Sequence, residues 1–190
     1  MYKFVETSEE EAVFIQIWTQ AWLEKGFELE FAEQVLGQCL VFDESNVPIA
    51  TVEMKPYTLH NSELDKLAPF ASHPVIASYP EHVAEVDKVA VLKDHRGKNL
   101  ERLLATIVLF AERNQIKNYV TLLEPILFRA LKISFHVPMS RVGEKFFYKG
   151  DVVVPAIIHA EQFYKNKENY AWFMEAVSSK AQKNLVHTNT

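Results

Sequence analysis

The feature that most constrains this chain is a β-rich, alternating run from Val83 to Leu92 that passes through a polar, basic turn into a strong helical pattern. The turn is Lys93-Asp94-His95-Arg96-Gly97-Lys98, and the pattern is Leu100, Leu103, Leu104, Ile107, Phe110 and Ala111, spaced three and four apart. This is the spacing that a helix lying on a sheet requires, so strand, turn and helix together predict a fold that mixes the two. The first N–H groups of such a helix have no intrahelical partner and point outward with the positive end of its dipole. Arg96, Gly97, Lys98, Asn99 and Leu100 therefore form a candidate anion site, and the charges of Arg96 and Lys98 suit a pyrophosphate. A solvated basic turn that only starts a helix is the alternative reading of the same residues.

Other elements fall into place around this unit. Tyr2 to Glu6 reads as a short strand, and Thr7-Ser8 with Glu9, Glu10 and Glu11 as the cap and acidic first turn of a helix carrying Val13, Phe14, Ile17, Trp18, Ala21 and Trp22. The spacing places these aromatics in the core, and Gly26 is expected to end the helix. Phe31 to Leu36 suggests a second short helix stopped by Gly37. Cys39 to Phe42 and Ile49 to Met54 form a hairpin turning at Asp43-Glu44-Ser45-Asn46. Leu59 to Pro80, with Pro69, Pro74 and Pro80, has no clean period and reads as an irregular insertion, either a lid or a passive loop. Tyr119 to Leu123 is a strand and Pro125 to Phe135 a short helix. Arg141 to Tyr148 and Val152 to Ile158 form a hairpin turning at Lys149-Gly150, and Ala160 to Ala181 is a last helix. The order β-α-α-β-β-β-α-β-α-β-β describes an α/β (α+β) fold with a mixed, curved sheet and helices on both faces.

At 190 residues one domain is expected, over 1–183, with a loose tail at 184–190. A formal charge of -5 gives no field to gather nucleic acid. The longest apolar run, Leu103 to Phe110, is far shorter than the roughly 20 residues of a membrane helix. With no signal-peptide pattern at Met1 to Glu6, the sequence predicts a cytoplasmic protein that uses neither nucleic acid nor membrane. Cys39, the only cysteine, reads as a small core residue. The seven histidines lack zinc-ligand spacing, so no metal is expected, and no G-x-S-x-G elbow or P-loop occurs.

The run Val89-Ala90-Val91-Leu92-Lys93-Asp94-His95-Arg96-Gly97-Lys98-Asn99-Leu100 resembles the strand-to-helix motif of the GNAT superfamily of N-acyltransferases, R-x-x-G-x-G/A before an apolar helix. Asn99 and Glu101 stand where the motif has its later glycines. A narrower resemblance is to acyl-homoserine lactone synthases and N-acyl amino acid synthases. Glu85-Val86-Asp87-Lys88-Val89 is similar to their Glu-x-Ser/Thr-Arg-x-x-Val strand, with Lys88 for arginine. His136-Val137-Pro138-Met139-Ser140-Arg141-Val142-Gly143 is similar to their Gly-aromatic-Pro-x-x-Arg-Leu-Gly segment, with His136 for glycine. Glu53 stands where their third strand tends to carry arginine.

The resemblance implies a GNAT-like fold and an acetyl or longer acyl donor, acetyl-CoA or acyl-CoA, with acyl carrier protein as the other donor and a small primary amine as acceptor. It also implies that Val89, Ala90 and Val91 pair with the pantetheine arm, while Arg96, Gly97, Lys98, Asn99 and Leu100 take the pyrophosphate. Direct attack of the amine on the thioester needs a base, and Glu85 and Asp87, two apart on a strand and so on one face, are the candidates. Alternation puts Lys88 on the opposite face. The tyrosine that many GNAT enzymes carry after the fifth strand is missing from Ile126 to His136, which leaves His136 as the substitute acid. A non-catalytic acyl-CoA-binding domain and a signal or lipid synthase are the rival functions, and a homodimer stays open.

Overall fold

The computed structural model of the chain describes residues 2–97 and 99–186; Lys98, assigned to the anion turn, and residues 187–190 of the expected tail lie outside them. Eight strands form the sheet: β1 (Tyr2–Phe4), β2 (Gly37–Phe42), β3 (Pro48–Pro56), β4 (Val83–Val91), β5 (Asn118–Leu123), β6 (Met139–Arg141), β7 (Phe146–Tyr148) and β8 (Asp151–Ile158). Their order is β1-β2-β3-β4-β5-β8-β6, with β7 paired to β8. Among the described residues only β4 and β5 run parallel; every other pair is antiparallel. The parallel pair is joined by α4 (Leu100–Arg113), the crossover helix that a parallel connection requires.

Two layers of helix cover the sheet. On one face α4 buries Leu103, Leu104, Ile107 and Phe110 against Val52, Met54, Ala84 and Val86, with α6 (Ala160–Tyr164) and α7 (Ala171–Val186) adding Phe163 and Phe173. On the other face α1 (Ser8–Leu23) buries Phe14, Ile17, Trp18 and Ala21 against Leu40 and Ala90. Thr7 caps α1 as the sequence predicts: its hydroxyl accepts from Glu10 N and the Glu10 carboxylate accepts from Thr7 N, so two end donors are satisfied at once. Cys39 lies fully buried, and burial pushes its thiol pKa up to about 12, the state of a core residue.

Two sequence expectations change. Phe31 to Leu36 forms no helix; it is an extended crossing in which Leu36 N bonds Met54 O while Phe31, Val35 and Leu36 stay exposed. Six residues make too few hydrogen bonds to offset helix nucleation, and Phe31 packs edge-on against Trp18 from the extended backbone instead. The region 59–80 is more ordered than an irregular loop. It holds α2 (Glu63–Leu67) and α3 (Pro74–Ser78), and buries Phe70 and Ile76 with Tyr57, Val83, Val120 and Ile157 on the α1 side of the sheet.

The turn between β7 and β8 is Lys149-Gly150, with φ 47 and 105. Both residues are left-handed, as a two-residue hairpin turn requires. A Cβ on Gly150 would overlap the Gly26 carbonyl oxygen, so this turn also presses on the end of α1. Gly150→Ala is expected to cost roughly 2 kcal/mol, read as a lower urea midpoint at unchanged slope.

At the far end of β8, His159 starts α6 half-buried, and burial, then His73, holds its pKa below 6.5. A lowered histidine stabilises the fold fully above its unfolded pKa, and that contribution is lost as pH falls through the folded value. Stability should therefore drop as pH is lowered from about 6.5, and His159→Gln should flatten the profile in denaturant titrations at several pH values.

Candidate active site

The site begins with one extra residue. Glu53 of β3 faces Asp87, yet Thr51 faces Ala90, so two steps on β3 oppose three on β4. This is a β-bulge, and Lys88 within it takes φ 45, with its carbonyl held by the Thr51 hydroxyl at 3.0 Å. Before the bulge, Ala84 and Val86 point toward α4; after it, Val89 and Val91 do, and Ala90 joins the α1 side. Regular alternation would give the reverse.

The bulge also corrects the expectation for Lys88. Its side chain shares the face of Glu85 and Asp87, where it forms an ion pair with Glu53, directly across the ladder from Asp87. Lys88 and Glu53 are 3% and 1% exposed in their side chains. Gln38 Nε2 donates to the other Glu53 oxygen at 2.7 Å, and Lys88 Nζ lies 5.1 Å from the centroid of a Trp18 ring. A charge this deep is tolerated because it is paired and its partner's second oxygen is bonded.

One turn of the ladder away stands a second polar group. Glu85 is buried; Oε1 accepts the Ser62 hydroxyl, just before α2, and Oε2 lies 3.4 Å from Lys55 Nζ. Asp87 Oδ2 is 2.9 Å from the same ammonium, and Oδ1 accepts Lys88 N at 2.8 Å. Burial acts to lower the Lys55 pKa, but Asp87 and then Glu85 outweigh it and hold it above the ordinary value. Tyr148, on β7, feels Asp87, Lys55, Glu63 and Glu28; burial first, then Asp87, raises its phenol, which stays protonated at neutral pH.

Beside Glu85 the sheet opens. β4 pairs with β5 only from Val83 to Glu85, while β5 continues along β8 to Leu123. The two parallel strands therefore diverge, and the Thr121 hydroxyl bridges the opening to Val86 O at 3.1 Å. The edge of β4 from Asp87 to Val91 has no ladder partner on β5. Under the split lies an apolar cavity of about 30 Å³, walled by Val86, Val89, Leu104, Thr121, Leu127 and Trp172. Part of its outer wall comes from α5 (Pro125–Arg129), which continues into a π-helical turn, Ala130 to Ser134, carrying Leu131.

At the mouth of the split, Arg96, Gly97, Asn99 and Leu100 meet at the start of α4. Gly97 has φ 83 with open space around it, and the Asn99 side chain makes no bond to the first turn of the helix. Arg96 Nε donates to Val91 O at 3.0 Å and Nη2 lies 3.2 Å from a Glu24 oxygen. The neighbouring Lys25 pairs with Glu124, which follows β5, so the end of α1 touches both banks of the opening.

The structure thus brings together Glu85, Asp87, Val89, Ala90, Val91, Arg96, Gly97, Asn99 and Leu100 along one strand and the turn after it. His136 stands apart: it is exposed, with φ 51, and takes no part in the polar contacts of Glu85 or Asp87. Lys55, Ser62 and Tyr148 were not legible as site residues, since each joins the cluster from a different element.

No family model matches the chain, and no curated protein matches it. Solved structures do. FeeM, an N-acyl amino acid synthase from uncultured soil microbes, superposes with TM-score 0.65 at 11% identity, over 87% of this chain and 93% of its own. An N-acetyltransferase structure from Lactobacillus plantarum gives 0.62 at 14% identity over 84% and 97%, and the AHL synthase LasI gives 0.61 at 14% over 84% and 89%. The chain has the GNAT-like acyltransferase fold. Within that fold, the parted parallel strands and the bulge beside them are the features that position every group described above. Among the described residues no helix is long and apolar enough to cross a membrane.

Proposed function

We propose that the protein is an N-acyltransferase that moves an acyl group from an acyl-pantetheine thioester to a small primary amine by direct attack. The observation that carries this reading is the split between β4 and β5, which leaves a strand edge unpaired next to a buried carboxylate. An extended pantetheine arm offers amides that can complete that edge at Val89, Ala90 and Val91, as an added strand would. Arg96 and the first-turn amides of α4 face the charge of a pyrophosphate, for which Arg96 exchanges its contact with Glu24.

In this arrangement Glu85, with Asp87 beside it, takes the proton of the attacking amine. The nitrogen lone pair forms the new C–N bond, the C–S bond breaks, and the thiolate receives a proton from Tyr148. Tyr148 replaces His136 in that role because it shares the electrostatic field of Asp87 and Lys55, whereas His136 is exposed and bonded to neither carboxylate. Lys55 keeps the two carboxylates together despite their like charge.

A cavity of about 30 Å³ favours a short acyl group, roughly the size of an acetyl methyl, since one methylene more or less in a packed wall is felt. The likeness to FeeM supports the second reading, a longer acyl chain carried by coenzyme A or by acyl carrier protein, for which Leu127 and Trp172 would have to move.

The test is the melting temperature with free coenzyme A, acetyl-CoA and a series of longer acyl-CoAs. A donor at 100 times its Kd stabilises the folded state by about 2.7 kcal/mol. Stabilisation by acetyl-CoA that does not grow with chain length supports acetyl transfer; growth with length supports the longer-chain synthase. Arg96→Ala should remove most of the shift, and an unchanged shift would sink the anion-site assignment. No shift with any donor moves the reading to a carrier-protein donor or a non-catalytic domain.

A further inference from the structure

At the end of the sheet away from the bulge, three side chains from three segments join in a chain of hydrogen bonds that acyl transfer does not use. Ser140 of β6 lies opposite Ile157 of β8, and Asn118 opens β5. His159 follows β8. Its Nδ1 is 3.1 Å from Asn118 Oδ1 and its Nε2 is 2.8 Å from Ser140 Oγ. An amide oxygen can only accept, so Nδ1 carries the proton and Nε2 presents its lone pair to the serine hydroxyl. This is the tautomer and orientation that a general base needs to activate a serine.

Two further observations belong to the same place. Asn118 and His159 line an open cavity of about 370 Å³, whose other walls include Tyr79, Lys117 and Glu161. The Nδ1 atom of His73, the residue before α3, is buried with no hydrogen-bond partner. A buried polar atom without a partner costs free energy, so it marks a position where a bound group can supply the missing bond. Burial and His73 also keep His159 neutral, the form a base must have. Ser140 and His159 are both half-buried and so not sealed from solvent.

We propose that Ser140, His159 and Asn118 form a second, hydrolytic centre that takes a small carboxylic ester or thioester. Ser140 Oγ attacks the acyl carbon as His159 Nε2 takes its proton, and the alcohol or thiol leaves with that proton. Water, deprotonated by the same nitrogen, then attacks the acyl-serine, releasing the carboxylic acid and restoring the hydroxyl. Asn118 is a positioning residue, fixing the imidazole. His73, whose buried Nδ1 has no partner, precedes Pro74 on the cavity wall, where Lys117 and Glu161 place charges of both signs. This centre is independent of the acyltransferase reading, since it shares none of the residues assigned there.

The full-length protein treated with a fluorophosphonate should gain one adduct by intact mass, mapped to Ser140, and should hydrolyse p-nitrophenyl acetate. Ser140→Ala should abolish both while leaving the melting temperature shift with acetyl-CoA intact. Asn118→Ala should lower the hydrolysis rate about 100-fold, and Asn118→Asp, which still accepts from Nδ1, should restore much of it. A folded protein whose Ser140 stays unlabelled, or whose hydrolysis survives Ser140→Ala, overturns the proposal.

Discussion

Lys88→Met should be among the most destabilising single changes in this protein, costing about 3–5 kcal/mol, because it leaves the Glu53 carboxylate buried without its counter-charge. Gln38 would still donate to one Glu53 oxygen, but a neutral amide does not replace an ammonium. The double variant Lys88→Met with Glu53→Met should recover most of the loss, since the cost lies in the unpaired charge and not in the missing pair. Urea unfolding of both variants gives the comparison. A double variant no more stable than the single one would show that the pair holds the bulge itself. In that case the φ of 45 at Lys88, uncommon for a residue with a side chain, is what the ion pair sustains.

Glu85→Gln should lower kcat for amine acylation by about 100-fold to 10,000-fold, the range ascribed to a positioned base. Donor affinity should not change, because Glu85 touches Ser62 and Lys55 and none of the groups assigned to the pyrophosphate. Glutamine keeps an oxygen for the Ser62 hydroxyl, so the fold around α2 is preserved. Steady-state kinetics together with the donor-induced melting shift separate the two effects. An unchanged kcat removes Glu85 from the mechanism and leaves Asp87, which stays ion-paired to Lys55 at 2.9 Å, as the base to test next.

Much of the architecture could be read from local pattern. The strand from Val83, the helix from Leu100 and the hairpin around Asp43 each carry their signal within a dozen residues, and the structure has all three. What escaped is what depends on a count or on distant partners. A bulge adds one residue to a run that is β-rich on both sides, so nothing in composition marks it, and the face assigned to Lys88 was reversed for that reason. Phe31 to Leu36 has helical spacing, but Phe31 packs on Trp18 of α1 from an extended crossing, which only the tertiary arrangement reveals. Ser62 and Lys55 reach the carboxylates from other elements, Tyr148 feels Asp87 from β7, and Ser140, His159 and Asn118 are some 20 residues apart in the chain. The start of α4 after Arg96 was legible because helix starts and their charges are local, whereas the exposure of His136, weighed as a substitute for the missing tyrosine, depends on the tertiary arrangement.

The bulge in β4 has a consequence for how this strand tolerates change. A regular strand is a two-state code in which even and odd positions address opposite faces, and one inserted residue inverts the parity of everything downstream. Here the inversion falls between the carboxylates and Val89, so a single strand addresses acidic groups to one side of the sheet and an apolar wall to the other. Deleting Lys88 would remove the bulge and leave Val89 and Val91 toward α4, whereas losing the bulge at full length would turn both toward α1 and take Val89 out of the cavity wall. What this segment has to keep is the match between its length and its bulge.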